Sequence, residues 1–119
     1  MCKMKSRKTA LYLRASRYDK VAVNSQKNSL LRYAKELGLT DLQIYQDNGF
    51  GGLNADRPAL RRLTSDIASG EIGAVLTADI SRVYSDAFKM RGFVKNIKDN
   101  GVEIYTVDNS HEVLDWGEM

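Results

Sequence analysis

From Thr9 to Val107 the chain alternates between stretches with the two-residue period of a strand and stretches with the three-to-four-residue period of a helix. Thr9 to Leu13 reads as a buried strand. Leu30, Leu31, Ala34 and Leu37 follow at helical spacing, with Asn24 or Ser25 as the expected N-cap and Gly38 as the stop. Leu42 and Ile44 alternate with polar residues as in a second strand, and the turn-rich stretch from Asp47 to Asn54 reads as a loop. Asp56-Arg57-Pro58 then opens a helix carrying Leu60, Leu63 and Ile67 and ending at Gly70. Ala74 to Thr77 is a third strand, and Ala87, Met90, Phe93, Val94 and Ile97 mark one face of a helix closed by Asn100-Gly101. Val102 to Val107 is the last strand. The order βαβαβαβ predicts an α/β three-layer domain with a mostly parallel central sheet flanked by helices, because parallel neighbours need a crossover long enough to hold a helix. Functional groups in such a domain gather at the carboxyl ends of the strands.

At 119 residues the chain has room for one such domain, and 43% apolar with 28% charged residues is an ordinary globular balance. A single cysteine, Cys2, and a single histidine, His111, leave no basis for an internal disulfide or a zinc site. No apolar run reaches membrane-spanning length, and the basic N-terminus leads into an apolar stretch too short for a signal peptide. The expected location is the cytoplasm, with no membrane partner. The net charge of +3 is unevenly spread: Lys3, Lys5, Arg7 and Lys8 crowd the start, and no Lys or Arg follows Lys98. Residues 1–8 are expected to be a basic flexible N-terminus, suited to an anionic partner such as nucleic acid, ahead of a domain spanning 9–119.

Placed on that frame, the polar residues converge. Arg14 and Ser16 close the first strand two residues apart, where an extended chain aims both to one side. Asp47 follows the second strand, and Asp79, Ser81 and Arg82 follow the third. Arg57, at the start of the second helix, can point to the same rim. A serine hydroxyl is a weak nucleophile, and a phosphodiester repels electron-rich groups, so serine attack on phosphorus needs positive charge beside it. Guanidinium outnumbers carboxylate here, which leaves charge for an external anion.

Leu11-Tyr12-Leu13-Arg14-Ala15-Ser16, then Gln26 with Leu30 and Tyr33-Ala34, then Asp47-Asn48-Gly49-Phe50-Gly51-Gly52 running into Asp56-Arg57-Pro58-Ala59-Leu60, then Asp79-Ile80-Ser81-Arg82, resemble the N-terminal catalytic domain of the serine recombinases, the resolvase/invertase family. The last two stretches are closest to the large serine recombinases of phages and conjugative transposons. The resemblance implies a resolvase-like fold and site-specific DNA recombination without metal or nucleotide cofactor. Ser16 would attack a DNA phosphodiester to give a 5′-phosphoserine linkage and a free 3′-hydroxyl. Arg14, Arg57 and Arg82 would carry the transition-state charge, Asp79 would orient an arginine or help move a proton, and Gln26 matches a polar active-site residue. DNA and further copies of the chain, as dimer and tetramer, are the implied partners. The dimerisation helix and DNA-binding region that follow this domain in the family have no counterpart in these 119 residues.

Two stretches depart from the family pattern. Where the family continues with Arg-Leu-Gly-Arg, this chain reads Arg82-Val83-Tyr84-Ser85, so a ring replaces glycine and a hydroxyl replaces the second arginine; Gly51 stands where serine is common. Lys89 or Arg91 would have to reach in to replace the lost charge. A catalytically degenerate domain kept as an interaction or regulatory module is therefore the alternative reading. A nucleotide-binding domain cradling phosphate at Gly49 to Gly52 is a weaker one, since the loop lacks both the Gly-Lys-Ser/Thr ending of a P-loop and the Gly-x-Gly-x-x-Gly spacing of a dinucleotide fold.

Overall fold

A computed structural model of the chain describes residues 7–15, 17–49, 57–79, 82–84 and 87–108. Seven elements follow in the expected order: β1 (Lys8–Ala15), α1 (Lys20–Leu37), β2 (Leu42–Asn48), α2 (Pro58–Ala68), β3 (Ile72–Thr77), α3 (Ala87–Asp99) and β4 (Glu103–Thr106). The strands form one four-stranded sheet in the order β2-β1-β3-β4, and every neighbouring pair is parallel.

Alternation along β1 builds a core on each face of the sheet. Leu11, Leu13 and Ala15 pack with Val23, Leu30 and Ala34 of α1, while Ala10 and Tyr12 join the larger cluster formed with Leu60, Leu63 and Ile67 of α2 and Met90, Phe93, Val94 and Ile97 of α3. The result is three layers, α1 on one side and α2 with α3 on the other. Because the chain leaves β1 toward β2 but leaves β3 toward β4, the connections part between β1 and β3, and the crevice at the carboxyl ends of those two strands is where an open α/β sheet offers a binding site. The β1–β3 ladder runs only as far as Leu11 paired with Leu76; beyond it the Thr77 hydroxyl reaches across to the Tyr12 carbonyl at 3.0 Å.

Two boundaries that bear on the site differ from the sequence expectation. Helix α1 is capped by Asp19, whose side chain accepts from the Ala22 amide at 3.0 Å, rather than by Asn24 or Ser25, so it starts more than a turn earlier. The Asp19 amide donates to Asn48 Oδ1 at 2.9 Å, which fixes the helix start, and Val23 of the first turn packs into the core. Gly38 ends the helix as expected, at φ 75° in the left-handed region that glycine adopts without strain. Asp47 and Asn48 belong to β2, not to the following loop, because both remain in register with Arg14 and Ala15 of the central strand. Gly49 turns the chain at φ 98° against the backbone of Tyr18. At the other end of the sheet the Arg7 guanidinium donates to the carbonyls of Asn100 and Gly101 at 2.8 and 3.2 Å, tying the chain just before β1 to the end of α3. Among the described residues no helix is long and apolar enough to cross a membrane.

Candidate active site

Three arginines from distant parts of the chain meet at the carboxyl ends of β1 and β3. Arg14 takes the Tyr12 side of β1 by the same alternation that buries Leu13 on the other. Its backbone lies past the end of the β3 ladder, and Gln26 of α1 fills the gap: Gln26 Oε1 accepts from the Arg14 amide at 3.3 Å, and Gln26 Nε2 donates to the Arg14 carbonyl at 2.9 Å. The sequence-predicted Gln26 thus fixes where Arg14 sits.

The guanidinium groups are laced through one another's carbonyls. Arg14 Nε donates to the Arg82 carbonyl at 2.8 Å, and Arg82 Nη1 donates back to the Arg14 carbonyl at 3.2 Å. Arg57 Nη1 donates to the same Arg82 carbonyl at 3.0 Å, and Nη2 donates to the carbonyl of Val83. Asp79 lies one turn before Arg82, its Oδ2 3.7 Å from Arg82 Nε, close enough for an ion pair and too far for a hydrogen bond. Burial, followed by the positive charges of Arg57 and Arg82, holds the Arg14 guanidinium below its ordinary range. Positive charge is concentrated here beyond what the neighbouring carboxylates offset.

Arg57 is the extreme case, with no solvent exposure at all. A buried cation is costly unless its donors are taken up. Nη1 also donates to Tyr12 Oη at 3.3 Å, and the rings of Tyr84 and Tyr12 lie 5.0 and 5.9 Å from the guanidinium carbon, within reach of cation–π attraction. Arg57 Nε is buried with no hydrogen-bond partner among the described residues, and so is Arg82 Nε. Unspent donors inside a cationic cluster suit an incoming oxyanion.

Asp47 departs from the expectation that two acids face the arginines on an open rim. It is 1% exposed, and its carboxylate accepts from Tyr12 Oη at 2.6 Å and from the amides of Ala59 and Leu60 at 2.9 and 3.0 Å. Arg57, at the N-cap position of α2, makes no side-chain cap bond, so a strand residue caps the helix in its place. Tyr12 links this cap to Arg57. The sequence reading missed Tyr12, although its two-residue spacing from Arg14 on one strand face was the available signal. Lys89 and Arg91 are exposed on α3 and form no hydrogen bond or ion pair with the arginines among the described residues. Ser16, Ser81, Ser85 and the Gly51-Gly52 stretch lie outside the described residues.

Burial and then the bond to Asp47 push the Tyr12 phenol far up, and burial with the bond to Asp66, at 2.5 Å, does the same to Tyr45. A phenol whose folded pKa lies above its unfolded value of 10.0 contributes stability that is complete below that value and lost as pH rises above it. The thermal midpoint is therefore expected to fall steadily above about pH 10, and the fall to be shallower in Tyr12→Phe, as followed by circular dichroism.

A parallel sheet with an arginine-rich crevice at its switch point, at the end of a strand that runs into a serine, defines a serine recombinase catalytic-type domain, and comparison with known proteins agrees. Residues 9–118 match the family model described as "Resolvase, N terminal domain", and the chain belongs to that family. A Bacillus subtilis (strain 168) protein named "Putative DNA recombinase" is 35% identical over 75 residues, which are 62% of this chain and 15% of that protein. The N-terminal catalytic domain of TP901-1 integrase superposes with a TM-score of 0.80 at 26% identity, covering 87% of this chain and 80% of that one. The C-terminal catalytic domain of ISC1926 TnpA, an IS607-like serine recombinase, shares the fold at a TM-score of 0.77 and 24% identity over 91% of this chain and 76% of its own.

Proposed function

We propose that this domain cleaves and rejoins DNA by serine attack on a phosphodiester, as part of site-specific recombination. The observation that carries the reading is the group formed by Arg14, Arg57 and Arg82, two of them with buried Nε donors that make no hydrogen bond among the described residues, at the end of the strand that leads directly into Ser16. Ser16 Oγ forms a bond to phosphorus as the bond from phosphorus to the 3′-oxygen breaks; the serine loses its proton and the departing 3′-oxygen gains one. The product is a 5′-phosphoserine linkage beside a free 3′-hydroxyl, and the reverse step rejoins the strands. The transition state spreads negative charge over the phosphoryl oxygens, and fixed guanidinium donors in a water-poor crevice are suited to stabilise it. Asp79 orients Arg82, and Gln26 holds the Arg14 backbone in place. DNA is the substrate, and strand exchange requires further copies of the chain.

The test fuses the chain, through a dimerising helix, to a programmable DNA-binding domain and supplies an oligonucleotide duplex nicked near the expected break. The expected result is a protein–DNA adduct that survives denaturation and maps to the peptide containing Ser16. No adduct from the wild type, with one from Ser85→Arg, overturns the reading for this chain and leaves a domain that has lost its chemistry.

A further inference from the structure

The position at which the family commonly has glycine is a tyrosine here, and the structure shows what the ring touches. Tyr84 follows Arg82 and Val83 in the connection between β3 and α3, and its ring centroid lies 5.0 Å from the guanidinium carbon of Arg57. Phe93 of α3, itself in the core, meets the Tyr84 ring edge-on, with centroids 6.1 Å apart and planes at 68°. A line of contacts thus runs from α3 through Phe93 and Tyr84 to Arg57 at the start of α2. The same connection supplies the two carbonyls, of Arg82 and Val83, on which Arg57 spends its donors. No carboxylate bonds directly to Arg57 among the described residues; Asp47 reaches it only through the Tyr12 hydroxyl.

We infer that Tyr84 is a positioning residue for Arg57: its electron-rich ring face does what a carboxylate could do and holds the guanidinium beside Arg14 and Arg82, where its charge acts on the phosphate, a role that rests on the recombinase reading above. A cation beside an aromatic face inside a protein is attracted by the ring quadrupole without being neutralised. That distinction matters for catalysis, since a carboxylate in the same place would offset the charge the transition state needs, whereas the ring leaves it intact. The planar guanidinium also matches a flat ring, so the face fixes orientation as well as position. The ring rather than the hydroxyl carries the contact, and a phenyl group should do the same work.

The experiment measures single-turnover adduct formation on the nicked duplex against DNA concentration, together with thermal midpoints, for wild type, Tyr84→Phe and Tyr84→Leu, each also in an Arg57→Met background. Tyr84→Phe is expected to keep the wild-type rate to about twofold, because the quadrupole survives. Tyr84→Leu fills the space without a quadrupole, and its rate at saturating DNA is expected to fall on the order of ten- to a hundredfold with the half-saturating concentration unchanged, the mark of a displaced catalytic group. In the Arg57→Met background the same change should cost nothing further. A Tyr84→Leu rate equal to wild type, or an equal loss in both backgrounds, overturns the inference. If the wild type forms no adduct, the function fails, and the thermal cycle still decides the positioning: additive midpoint shifts for Tyr84→Leu and Arg57→Met would sink it.

Discussion

Arg57→Met is expected to lower adduct formation by about a hundredfold to a thousandfold while leaving a folded protein of nearly wild-type stability. The two halves of that result have separate causes. Methionine matches the length of the buried stem but removes the guanidinium, and losing one preorganised donor group from a phosphoryl-transfer site has a cost of that order. Stability responds to opposing terms. Tyr12 Oη and the carbonyls of Arg82 and Val83 lose a donor; Tyr12 keeps Asp47 and the Arg82 carbonyl keeps Arg14, so the Val83 carbonyl bears most of the cost, about 1–3 kcal/mol. Against this, a cation that has no direct carboxylate partner and no Nε partner among the described residues no longer has to be buried. The two largely cancel, and the unfolding free energy from urea titration is expected to change by no more than about 2 kcal/mol in either direction. Full loss of folding would show that Arg57 is chiefly a structural strut, and unchanged adduct formation would remove it from the chemistry.

Asp47→Ala should do the reverse, with its first effect on the fold. The carboxylate bonds a phenol and two amides at the start of α2, all three buried or partly buried, and alanine leaves them facing an apolar interior. Loss of a helix cap costs about 1 kcal/mol, and each further orphaned donor about 1–3 kcal/mol. A total of about 3–5 kcal/mol is expected, a large part of the stability of a domain this size, measurable as a lower urea midpoint. Asp47→Asn keeps an acceptor in the same place and is expected to lose less than half as much. A small effect from Asp47→Ala would mean that water replaces the cap and that the Tyr12–Arg57 contact stands on its own. Adduct formation should fall along with stability in Asp47→Ala, since Tyr12 would no longer be held beneath Arg57; in Arg57→Met the two measurements separate.

Tyr84, Lys89 and Arg91, which flank the arginine expected from the family pattern, face different ways. Lys89 and Arg91, the candidates to replace the absent arginine, point to solvent along α3, whereas Tyr84 turns inward onto Arg57.

The sequence by itself determined the layers, the strand order's parallel sense and the meeting of Arg14, Arg57 and Arg82, because each rests on a local period or on the rule that crossovers bring successive strand ends to one edge. The apolar alternation Ala10 to Leu13 could be satisfied only with both faces covered, and the helical spacing of Leu60, Leu63 and Ile67 chose which face α2 buries. The tertiary structure decided where the polar groups spend their bonds. Whether Asp47 faces an open rim or caps α2 depends on its register beside Arg14 and on an amide more than ten residues ahead, and neither is a local property. Asp19 outcompeted Asn24 and Ser25 because a β2 side chain, Asn48, fixed its backbone. Arg57 could be read as a cation from its letter alone, but its complete burial, and the rings and carbonyls that make burial tolerable, come from three elements assembled around it. Hydrophobic period acts over a few residues and is written along the chain; the matching of each buried donor to an acceptor is settled only once distant segments are packed together.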